Sequence, residues 1–140
     1  MSVSAQAREQ ADTSRAGPAF TWFAVLGGIV AWSLFTVVVW LLDEIVCSPG
    51  AGATASELLG LPFTAAAAVL TAAFAAVAAL SGLAAWRLLG QARAAGDRLG
   101  EPRAGRLRFM AAVGLGSDLL HLAIILYFGG ALAVIGPCLR

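Results

Sequence analysis

The stretch AGPAFTWFAVLGGIVAWSLFTVVVWLL, residues 16–42, decides the fold. It holds no charged side chain between Arg15 and Asp43, and it is longer than the roughly 20 apolar residues a helix needs to cross a hydrocarbon core about 30 Å thick. A secretory leader would have an apolar region of only about 7–15 residues, so length argues against removal of this segment, although Ala51-Gly52-Ala53 has the small residues of a cleavage site. A lipoprotein signal at Cys47 is disfavoured by Glu44-Ile45-Val46 immediately before it.

Two further gaps of the same kind follow. No charge occurs between Glu57 and Arg87, and between Arg108 and Arg140 the only ionisable side chains besides Tyr127 and Cys138 are Asp118 and His121. The chain of 140 residues is 60% hydrophobic and 12% charged, against about half and about a quarter in soluble domains. The expectation is an all-α integral membrane protein with three transmembrane helices, at about 18–46, 62–90 and 107–136. Residues 1–17, polar throughout, read as a disordered tail, and residues 18–140 as the membrane domain.

The arginines give the orientation. Arg8 and Arg15 precede the first span, and Arg87, Arg93, Arg98, Arg103, Arg106 and Arg108 lie between the second and third. The loop between the first two spans has no basic residue, and Asp43, Glu44 and Glu57 lie in it or at its edge. The positive-inside rule puts the N-terminus and the Arg-rich segment in the cytoplasm and the C-terminus outside, with Arg140 the one contrary charge. Trp22 and Trp40 near the ends of the first span, and Trp86 near the inner end of the second, suit interfacial belts.

Pro18 and Pro62 are suited to open helices, because a helix start does not need the missing N–H. The outer connection begins with a Pro-Gly-Ala-Gly breaker, and Ser56 to Leu59 could form one interfacial turn. Residues 91–106, with Gly96, Gly100, Pro102 and Gly105 among the arginines, read as a flexible basic linker facing anionic lipid. No nucleic-acid motif is present. The second span is rich in alanine, which permits close helix packing but is also simply a good helix former.

Two features could carry chemistry. Cys47 and Cys138 fall just past the ends of the first and third spans, hence on one extracytoplasmic side, where a disulfide could staple those ends. The alternative is two free surface thiols. Asp118 and His121, spaced i and i+3 on one helix face, lie near the middle of the third span, where an ionisable group is costly and normally faces protein or water. Three readings stay open: a packing device bonded within the pair, to Ser117 or to a neighbouring helix; part of a proton path; or haem or pigment ligation by His121. Gly27-Gly28, Gly114-x-Gly116 and Gly129-Gly130 allow close backbone approach. No nucleophile elbow, phosphate loop, zinc motif or paired carboxylates outside the membrane are found, so no enzyme activity is expected.

Gly28-Ile29-Val30-Ala31-Trp32, Cys47 after the first span, and Pro137-Cys138 after the last carry a resemblance. The chain resembles small bacterial membrane proteins whose genes accompany those of haem-copper cytochrome oxidases and related respiratory complexes. That resemblance covers the first and third helices only. It implies an accessory or assembly subunit of an electron-transfer complex in the bacterial inner membrane, with other integral membrane subunits as partners. Many of those proteins have a histidine three residues after the tryptophan; here Phe35 stands there, so no ligand role carries over. A cofactor-bearing anchor or a small proton-coupled transporter using Asp118 and His121 is the alternative.

Overall fold

The computed structural model describes residues 17–48, 57–58, 61–94 and 101–135. Three long helices make up nearly all of it: α1 (Pro18–Val46), α2 (Phe63–Ala94) and α3 (Glu101–Ile135). Each is long and apolar enough to cross a membrane, and the protein is a multi-pass membrane protein on that ground. Between α1 and α2, β1 (Glu57–Leu58) pairs with β2 (Leu61–Pro62) in an antiparallel ladder, Glu57 opposite Pro62 and Leu58 opposite Leu61. This ladder stands where Ser56 to Leu59 suggest one interfacial turn. Cys138, Arg98, Arg140 and residues 1–16 lie outside the described residues.

Local sequence sets the helix ends. Pro18 occupies the first turn of α1, and the Gly17 carbonyl accepts from the Phe20 N–H at 2.9 Å. At the other end the Cys47 N–H donates to the Asp43 carbonyl at 2.9 Å. In the segment read as a flexible basic linker, the described residues are helical: α2 continues to Ala94 and α3 begins at Glu101. Pro102 does not prevent this, because it falls in the first turn, where no helical N–H bond is lost. Packing extends the helices as well, since Leu88, Leu89 and Ala92 are buried and Leu107 packs against their cluster. Arg108 reaches from α3 to the end of α2, its Nε donating to the Ala92 carbonyl at 3.3 Å and its Nη2 to that of Arg93 at 3.5 Å. These carbonyls would otherwise end the helix without a donor partner.

Connected in sequence, α1 and α3 run one way and α2 the other, and all three pairs of helices touch. The core is a column of three layers. Ala24, Ala84, Ala85, Leu88, Leu89 and Ala111 fill the end nearest the arginines. Ala31, Phe35, Ala75, Ala78 and Ile125 fill the middle, with Phe35 and Phe74 edge to face at 5.9 Å. Val46, Phe63 and Ala67 close the far end. Phe35 is therefore a core side chain. Alanine dominates because, in lipid, helix association gains from close packing and not from expelling water.

Candidate functional site

The polar centre of the bundle lies between the first and second of those layers. Asp118 on α3 is 1% exposed and Ser81 on α2 is 0% exposed. The Gly28 N–H on α1 donates to Asp118 Oδ1 at 2.9 Å. Ser81 Oγ lies 2.8 Å from Asp118 Oδ2 and 2.7 Å from the Phe23 carbonyl oxygen. One carboxyl group thus ties all three helices at one level. Among the described residues no buried side-chain polar atom lacks a partner, as an interior of low dielectric requires.

Glycines make this approach feasible. A Cβ on Gly28 would stand 2.8 Å from the Asp118 Cα, and one on Gly27 would stand 2.7 Å from the Ser81 Cβ. One turn before Asp118, a Cβ on Gly114 would meet the Ala24 carbonyl oxygen at 2.7 Å. Gly129 abuts the Thr71 side chain in the same manner further along. Gly116 and Gly130, by contrast, have open space where a Cβ would go. Spacing alone does not separate the two groups, since glycines one or two positions apart on a helix point to different neighbours.

His121 shares the helix with Asp118 but not its bonds. Its Nδ1 donates to the Ser117 carbonyl at 2.7 Å, with Ser117 Oγ at 3.3 Å, and its ring lies 5.4 Å from that of Trp32. A carbonyl can only accept, so Nδ1 bears the hydrogen and a neutral ring has its lone pair on Nε2. His121 is half-buried, and its Nε2 makes no hydrogen bond to any described residue.

Depth follows from the tryptophans. Trp22 to Trp40 spans about 27 Å of axis, close to the hydrocarbon thickness, and both side chains are largely exposed, as is Trp86. Gly28 is about 9 Å from the Trp22 level and Ser81 about 7.5 Å from that of Trp86. With Trp22 and Trp40 as the interface marks, the Asp118 centre lies about a third of the way along the span from the arginine side, and His121 about 4.5 Å further along.

Cys47, half-buried beside Val46, Phe63 and Ala67, is not a free thiol. A cleft lined by Val39, Leu42, Asp43, Phe63 and Leu132 holds only about 20 Å³, about the space of one water. Among the described residues no group of three metal-ligating side chains occurs. The chain matches no family model, no curated protein and no solved structure.

Proposed function

We propose that this protein is a small accessory or assembly subunit that packs against other integral membrane subunits. The observation that carries this reading is the bare face of α2. Its buried side uses Ala67, Thr71, Ala75 and Ala78, yet Ala68, Ala72, Ala76 and Ala79 form a second small-residue row on the exposed side. Val69, Val77, Leu80 and Leu83 flank this row on α2, while the outward faces of α1 and α3 present Leu26, Ile29, Leu34, Leu119, Leu126 and Phe128. Small side chains let another helix approach closely, and close packing is what association in lipid gains from. The resemblance of α1 and of Pro137-Cys138 to oxidase-associated proteins points to an electron-transfer complex, of haem-copper type, as host. The N-terminus and Arg-rich hairpin end then face the bacterial cytoplasm, where anionic lipid lies within reach of the arginines.

The engagement of Asp118 with Gly28 and Ser81 supports the packing-device reading of this residue over a proton path. A second reading rests on His121. An imidazole with its Nδ1–H bonded to a carbonyl and Nε2 open is oriented as an axial ligand of a tetrapyrrole metal would be.

Purification through an N-terminal tag in mild detergent, with mass spectrometry and an absorption spectrum of the same sample, tests both. Stoichiometric recovery with electron-transfer subunits supports the accessory reading, and recovery alone refutes it. A Soret band from the isolated chain that is lost in His121→Ala establishes the second reading; its absence refutes that one.

A further inference from the structure

Counting hydrogens at the Asp118 centre leads to a definite chemical state. Ser81 Oγ sits 2.7 Å from the Phe23 carbonyl oxygen and 2.8 Å from Asp118 Oδ2. Both distances are those of O–H···O hydrogen bonds, and each bond needs its own hydrogen. The hydroxyl supplies one and the carbonyl none. With an ionised carboxylate, two acceptor-only oxygens would face the hydroxyl with one hydrogen between them, and one short O···O contact would be repulsive.

We infer that Asp118 is a neutral carboxylic acid whose Oδ2–H donates to Ser81 Oγ, while the Ser81 hydroxyl donates to the Phe23 carbonyl. On the other oxygen, Oδ1 accepts from the Gly28 N–H at 2.9 Å. Every oxygen and hydrogen at the centre is then matched, in one directed chain from α3 through α2 to α1. The groups packed around the carboxyl are consistent with this. From α1 come the Gly28 amide and the Phe23 carbonyl, from α2 Ser81 and Gly82, and on α3 the His121 Nδ1–H is turned to the Ser117 carbonyl. No arginine is among them. A charge at this depth is expensive, whereas a fully bonded neutral acid is not.

The state has a consequence for substitution. Asparagine presents the same pattern, a carbonyl oxygen for the Gly28 N–H and an N–H for Ser81, so Asp118→Asn leaves the bundle intact. Asp118→Leu removes both bonds and lowers the thermal midpoint. Here Asp118 acts as a neutral lock between helices, a role independent of what docks on α2.

Infrared difference spectroscopy in lipid bilayers at neutral pH, wild type minus Asp118→Asn, tests the inference. The expected result is a protonated carboxylic C=O band present in the wild type and lost in the variant. Loss of a carboxylate band instead would overturn it. Should the variant fail to fold, the wild type grown with carboxyl-13C aspartate decides. A shifted carboxylic acid band upholds the neutral state, and a shift confined to carboxylate bands refutes it.

Discussion

At the level of single residues, the bundle depends on where a methyl group cannot go. Gly28 and Gly116 sit in apolar helices and look alike in sequence, but a Cβ at Gly28 meets the Asp118 backbone and one at Gly116 meets nothing. Backbone cannot yield as a flexible side chain does, so Gly28→Ala should cost about 1–3 kcal/mol as overpacking. Gly116→Ala should be neutral or slightly stabilising, because alanine is the better helix former. Thermal unfolding in detergent would read both, and equal midpoints for the two variants would contradict the helix contact described here. The presence of a costly polar pair in the third span was legible from the sequence. Its partners were not, because Ser81 is one of several hydroxyls and nothing local distinguishes it from Ser33 or Thr36, which bond only the carbonyls of Ile29 and Trp32 on their own helix.

For the elements, the informative contrast is between the two sides of α2. Both are alanine-rich, but only one is covered by α1 and α3. Substituting Ala72→Leu together with Ala76→Leu fills the uncovered row and leaves the internal contacts untouched. The expected outcome is normal expression and thermal stability with loss of co-purifying subunits. Retained partners in that variant would remove the docking role from this face. At the arginine-bearing end the described helices reach further than the sequence suggests. Glycines and Pro102 suggested a loose linker, whereas Pro102 is harmless in a first helical turn and Leu88, Leu89 and Leu107 hold the two helices together beyond the tryptophan level.

For the whole molecule, the direction of the helices makes a covalent prediction. α1 and α3 run the same way, so Cys47 and Cys138 follow corresponding ends. If that side is extracytoplasmic, the two should be joined by a disulfide. Non-reducing mass spectrometry of membranes prepared under alkylation should recover the two cysteine peptides cross-linked. Alkylated, separate peptides would rule out the staple and weaken the orientation with it.

The sequence by itself determined that this is a three-helix membrane protein, because span length and the absence of charge are properties of the chain read in one dimension. It also located the helix starts at Pro18 and close to Pro62, where the cause is local. Tertiary structure alone decided that Asp118 bonds Gly28 and Ser81 and not His121, that Gly27, Gly28 and Gly114 are contact points while Gly116 is not, and that one alanine row on α2 is left uncovered. These depend on the rotation and height of each helix relative to the others. In lipid no hydrophobic stripe encodes that choice, and it is fixed instead by the fit of small residues and the pairing of a few buried polar atoms.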